Sequence, residues 1–194
     1  MGIGGHILSK KFEILMKRAL WVLVIVFIVR CLFSSEEIIK AFSIYHLFGY
    51  AGESIGVTVI IMAAYNKWLW KLDHTIKVPV LKRKYTGTIK SSFNGKCYKA
   101  ELEIHQTLLS ISVILKTQES SSRSVMSSID DILGEQQLTY TYLNTPMACV
   151  RNRSAIHFGT AMINIDNPMK LTGTYFTDRK STGDVDFIPE YDNQ

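Results

Sequence analysis

With 194 residues, the chain has material for one ordinary folded core beside a membrane segment, and not for two sizeable cores. Its formal charge of +5 sits in the first third: residues 1–82 carry ten Lys and Arg against five Asp and Glu, whereas residues 83–194 carry twelve of each. That distribution argues against a DNA or RNA polymer as partner and matches positive charge kept on the cytosolic side of a membrane. Cys31, Cys97 and Cys149 are odd in number and lack CxxC spacing, which points away from a disulfide framework or zinc site and toward a reducing cytosol.

The first predicted element is built on Ala19 to Val29, an unbroken apolar run between Lys17 and Arg18 on one side and Arg30 on the other. Alone it is too short to cross a bilayer. Phe12, Ile14, Leu15 and Met16 extend it backwards, Cys31, Leu32 and Phe33 extend it forwards, and snorkelling cations allow a span over about residues 14–33. A second apolar stretch over about residues 42–65 is followed by Lys67, Trp68, Trp70 and Lys71, which read as an interfacial girdle. The link SSEEIIK is mildly acidic and both outer flanks are basic, so both termini are expected in the cytosol. Met1 to Arg18 is long for a leader n-region and no small-residue cleavage pattern follows Phe33, so a removed signal peptide is not expected. Residues 1–72 are thus predicted to form a pair of transmembrane helices. Within the second, Glu53 needs a partner at membrane depth, and Gly52 with Gly56 makes a GxxxG that favours close helix packing. Two readings stand: Gly52, Glu53 and Gly56 serve membrane assembly, or Glu53 lies at the outer interface in a kinked helix start.

Beyond Pro79 the pattern changes to short alternating segments separated by turn residues, so residues 80–194 are predicted to be an all-β soluble domain. Strands are expected over residues 84–91, 97–106, 108–117, 121–128, 137–143, 155–165, 170–178 and 183–188. Turns are expected at Phe93-Asn94-Gly95, Asp166-Asn167-Pro168 and Ser181-Thr182-Gly183. Regular short turns favour an eight-stranded up-and-down, lipocalin-like barrel, in which closure hides the sheet edges and leaves room for side chains or one small ligand.

Strand parity then sorts the faces. Ala100, Leu102, Ile104 and Gln106 share one face; so do Ile111, Val113, Leu115 and Thr117; Leu138, Tyr140, Tyr142 and Asn144; and Leu171, Gly173, Tyr175, Thr177 and Arg179. Each set passes from apolar to polar, which predicts a packed floor and a polar mouth. Gln106, Thr117, Tyr142, Asn144, Thr177 and Arg179 are the candidate ligand contacts, with Ser120, Ser124 and His157 near them in sequence. Tyr140, Tyr142 and Tyr175 are able to stack on nucleobases or simply to fill the barrel, and Arg179 to meet a phosphate or lie at a strand end. The serine-rich SSSRSVMSS reads as an exposed edge strand or a ligand contact. His157 has no metal-ligand pattern beside it, and no nucleophile elbow, HExxH, P-loop or paired-carboxylate motif occurs, so neither a metal site nor an enzyme is expected.

Six blocks in order carry a family resemblance: Tyr85-Thr86-Gly87-Thr88-Ile89; Ile104-His105-Gln106-Thr107; Leu115-Lys116-Thr117 with the alternating serines; Tyr140 to Pro146; His157-Phe158-Gly159-Thr160; and Gly173 to Arg179. Behind a two-helix anchor, this layout resembles the CD-NTase-associated membrane effectors of bacterial CBASS antiphage defence that join two transmembrane helices to a minimal β-barrel. It departs at Tyr85, where the family pattern has Trp, a change expected to affect packing more than binding. No cofactor is expected. The resemblance implies a receptor for a cyclic di- or oligonucleotide second messenger made by a partner CD-NTase, acting as a homo-oligomer on activation to disrupt the bacterial inner membrane and kill the infected cell. The competing readings are a membrane-anchored lipocalin-like carrier of a lipid or small metabolite, which predicts a greasy cavity, and a protein-docking scaffold, which predicts a filled interior.

Overall fold

The computed structural model describes residues 3–33, 44–92 and 95–190, so the link SSEEIIK and the turn residues Phe93 and Asn94 lie outside the described residues. The chain divides into two compact units, Met1–His74 and Thr75–Gln194. In the first, helix α1 covers Ile3–Phe33 and helix α2 covers Ile44–Lys67, with a 3-10 turn at Leu69–Leu72. Phe48–Lys67 is long and apolar enough to cross a membrane by length and composition. In α1, Lys17, Arg18 and Arg30 interrupt the apolar run, and among the described residues no second segment meets the same measure.

The α1–α2 hairpin is fastened by polar groups. Ser54 and Thr58, four residues apart and therefore on one stripe of α2, are both buried. On the adjoining face Glu53 meets Arg30 at 2.5 Å, and the same guanidinium lies 4.7 Å above the Tyr50 ring. The carboxylate, expensive in lipid if left alone, is thus matched by the cation that interrupts α1. Towards the other end Arg18 pairs with Asp73 at 2.6 Å, and the Tyr65 hydroxyl donates to the same carboxylate. Gly52 and Gly56 have open space where a Cβ would project, so the GxxxG is not consumed by the hairpin. The expected aromatic girdle needs correction: Trp68 is exposed beside Lys67, but Trp70 is fully buried.

The second unit is a closed antiparallel barrel of eight strands: β1 Lys84–Ser91, β2 Cys97–Gln106, β3 Ile111–Thr117, β4 Ser120–Ile132, β5 Glu135–Pro146, β6 His157–Asn164, β7 Leu171–Thr177 and β8 Thr182–Pro189. Each strand pairs with its neighbour in sequence, and β1 pairs with β8 from Tyr85↔Pro189 to Ser91↔Gly183. The period-two alternation decides which face turns in: Leu102, Ile104, Val113, Leu138, Ile163, Leu171, Val185 and Phe187 are buried in one core, while Glu101, Lys116, Thr172 and Asp186 between them are exposed.

The core fills one end of the barrel, where the chain enters β1. There Leu81 and Val78 close the floor, and Gln106 holds the incoming segment by accepting from Leu81 N–H at 2.9 Å and donating from Nε2 to Pro79 O at 2.8 Å. Tyr85, fully buried, accepts from Lys82 N–H at 2.9 Å and donates to Pro168 O at 3.0 Å, tying the same segment to the β6–β7 turn. The ring at the position where the family pattern has Trp is therefore a floor residue with its polar tip satisfied.

Three local differences from the sequence reading have physical causes. Strands β4 and β5 run on to a two-residue turn at Leu133 (φ 56°) and Gly134 (φ 90°), the left-handed pair that matches strand twist in a tight hairpin. At the β7–β8 turn the positive φ falls on Lys180 (φ 59°), and Gly183 is a strand residue. The serine-rich β4 is an internal barrel strand with a register shift between Ser124 and Met126. Pairing with β3 is confined to Ile114–Lys116, so side chains finish the seam: Ser124 Oγ accepts from Val113 N–H at 2.9 Å, and Ser127 Oγ donates to Ile111 O.

Two predictions follow from the floor and core. Gln106→Ala removes both clamps on a buried backbone segment and is expected to lower stability by about 1–3 kcal/mol in urea unfolding; an unchanged midpoint would refute the clamp. Burial raises the hydroxyl pKa of Tyr140, reinforced by Tyr142, and that of Tyr142, reinforced by Tyr175 and Asp178; burial also raises Tyr85, partly offset by the Lys82 N–H. Because these folded values stand above the unfolded value of about 10, their contribution to stability is complete below that pH and is lost as pH rises through the folded values. An ultraviolet phenolate titration should therefore resolve exposed tyrosines from a buried class that ionises later, and a single common transition would contradict it.

Candidate functional site

Odd-numbered strands end, and even-numbered strands begin, at the end of the barrel opposite the floor. A cavity of about 600 Å³ opens there, a size typical of sites for drug-sized ligands. Its depth is apolar, bounded by Ile89, Leu115, Ala161 and Val185. Above these stand Tyr140, Tyr142 and Tyr175; the first two rings lie 5.8 Å apart at 47°. Among the described residues no hydrogen bond occupies the hydroxyls of these three tyrosines, which leaves them open to a ligand, and burial raises the pKa of Tyr140 and of Tyr142.

The polar layer is positioned by the turns. Thr117 caps the β3–β4 turn by accepting from Ser120 N–H at 3.0 Å, and Thr177 does the same for the β7–β8 turn, accepting from Ser181 N–H at 3.3 Å with the two hydroxyls 2.7 Å apart. Ser122 and Asn144 face each other across β4 and β5, and Ser122 Oγ donates to Asn144 Oδ1 at 2.8 Å. With its carbonyl so engaged, the buried Asn144 retains its amide N–H donors for the cavity.

Charges gather at the rim. Lys99, Arg153 and Arg179 line it with the single carboxylate Glu119. The connection between β5 and β6, residues 147–156, crosses the mouth and is fastened on two sides. Met147 N–H donates to Glu119 O at 2.8 Å and Arg153 pairs with the Glu119 side chain at 2.6 Å, while Arg179 Nη1 donates to Ser154 Oγ at 3.1 Å. The Arg153–Glu119 pair is solvent-exposed, 66% and 49%, so it is worth no more than about 1 kcal/mol and is readily exchanged. His157 Nδ1–H donates to Ala155 O at 2.9 Å, which holds the ring at the rim.

Of the residues singled out from sequence, Thr117, Tyr142, Asn144, His157, Tyr175, Thr177 and Arg179 converge on this mouth. Gln106 and Ser124 do not: Gln106 is at the floor, and Ser124 is spent on the β3–β4 seam. Sequence reasoning passed over Lys99, Glu119 and Arg153, and took in Ser122 only as part of the serine-rich SSSRSVMSS. Ser122 was detectable, because it shares the inward parity of Ser120; Arg153 lies in an irregular connection that gives no periodic signal.

Residues 76–188 match the family model described as Cap15, cyclic dinucleotide receptor domain. The chain is also 29% identical over 136 residues, 68% of its own length and 74% of the relative's, to CD-NTase-associated protein 15 of Staphylococcus schleiferi. The match runs from the floor segment into β8, one residue short of its end, and includes every strand that lines the mouth. The chain belongs to the Cap15 family of cyclic dinucleotide receptor domains.

Proposed function

We propose that the protein is an antiphage effector whose barrel binds a cyclic dinucleotide at its mouth and whose hairpin then assembles in the bacterial inner membrane and breaches it. The observation that carries the binding half is the composition of one cavity: an apolar and aromatic depth suited to bases beneath a rim bearing Lys99, Arg153 and Arg179 suited to phosphates. Asn144, Thr117 and Thr177 offer polar contacts between those layers, with His157 beside them. A uniformly greasy carrier cavity and a filled scaffold interior both disagree with this lining.

The membrane half rests on the apolar segment Phe48–Lys67 and on the open Gly52–Gly56 face. Arg30 and Glu53 neutralise each other, so α1 and α2 are able to cross together, with both termini in the cytosol. The ligand drives assembly only to the extent that it binds the assembled state more tightly than the monomer. Hairpins brought together would then pack through the glycines.

Calorimetry of detergent-solubilised protein against cyclic di-AMP, cyclic di-GMP and cyclic GMP–AMP tests the binding half; failure of all cyclic dinucleotides offered would reject it. Arg179→Ala should weaken the bound ligand by roughly tenfold to a hundredfold, the scale of about 1.5–3 kcal/mol for a charged hydrogen bond. Glu119→Gln should instead tighten binding by a few fold, because it removes the carboxylate that competes with phosphate for Arg153. In liposomes loaded with dye, ligand should trigger release from the wild type, whereas Gly52→Leu with Gly56→Leu should abolish release and leave binding intact. Undiminished release would reject the glycine face.

A further inference from the structure

An eight-stranded barrel has an interior that side chains can fill or that can hold one small ligand, and the residues facing inward decide which. Two glycines make the room here. Tyr142 on β5 stands opposite Gly159 on β6, and a Cβ at 159 would lie 2.4 Å from the Tyr142 hydroxyl oxygen and 2.5 Å from Cζ. The tip of the ring therefore occupies the place a side chain at 159 would take. The relation repeats at Tyr175 on β7 and Gly183 on β8, where a Cβ at 183 would lie 2.5 Å from Cε1 and 2.8 Å from the hydroxyl oxygen. Both rings fold sideways by one strand, and the wall beside them carries the small residues Gly159, Ala161 and Thr177, with His157 above them at the rim.

We propose that Gly159 and Gly183 are positioning and specificity-determining residues: by letting Tyr142 and Tyr175 lie against the wall, they give the mouth the width to accept a ligand with two nucleobases. This rests on the cyclic dinucleotide reading and adds to it how the room is made. A methyl at 159 would meet the far end of the Tyr142 side chain first and the Phe176 carbonyl oxygen, at 2.9 Å, next, so the ring is the first group to yield and it turns towards the lumen. At 183 a methyl would also meet the Lys90 carbonyl oxygen at 2.2 Å, which makes 159 the cleaner position to change.

The test is a double-mutant cycle on the full chain with whichever of cyclic di-AMP, cyclic di-GMP and cyclic GMP–AMP the wild type binds most tightly. Gly159→Ala should weaken binding about tenfold or more, the scale on which one unaccommodated methyl acts. Tyr142→Leu, which removes the ring and leaves only the looser Phe176 carbonyl contact, should recover most of the loss: Gly159→Ala with Tyr142→Leu should bind within a few fold of Tyr142→Leu alone. Melting curves establish that each variant is folded, and if Gly159→Ala alone does not fold, the double variant still must. Wild-type affinity in Gly159→Ala, or losses that simply multiply in the double variant, overturns this proposal alone. A wild type that binds none of the cyclic dinucleotides overturns the receptor reading and this one with it.

Discussion

The β1–β8 pairing is the contact on which the rest of the barrel depends. From Tyr85↔Pro189 to Ser91↔Gly183 it joins the first strand to the last and leaves the sheet without an edge. Every inward side chain is then enclosed on all sides, so a one-residue difference in parity separates solvent from core. The closure also links segments more than ninety residues apart, which makes the barrel a domain of long-range contacts in which turns must set register before closure contributes stability.

Within that closed wall, function is arranged along the barrel axis. The floor end is packed with apolar side chains, and Gln106 and Tyr85 spend their polar atoms on the protein's own backbone. The mouth reverses this: small residues on the wall leave a cavity, the tyrosine hydroxyls are unspent, and the cations at the rim are held only by exposed partners. Rigidity at one end and exchangeable polar contacts at the other suit a receptor whose scaffold stays fixed while its rim rearranges around a charged ligand.

Much of this was legible in the sequence because parity is local. Alternation alone identified the inward sets of β2, β3, β5 and β7, and with them Thr117, Tyr142, Asn144, Tyr175 and Thr177 at the polar end. It failed for Gln106 because parity gives the face and not the end. In an up-and-down barrel the C-terminal end of an even strand lies opposite that of an odd one, so Gln106 at the end of β2 is far from Thr117 at the end of β3. Ser124 was misjudged because a register shift after it breaks the seam, and its hydroxyl replaces a missing backbone partner. Arg153 was invisible because irregular connections carry no period, and Trp70 was read from composition as interfacial although its side chain is buried.

Eight is an even number, and that parity of strands has an evolutionary consequence. The barrel's own first and last residues both come out at the floor, so the rim of the mouth is crossed by four reversals of the chain, each bounded by paired strands. Such loops tolerate replacement, insertion and deletion far better than the strands that carry them. A lineage under pressure to recognise a new messenger thus has four loops to vary, none of which disturbs how the domain is attached to the rest of the polypeptide.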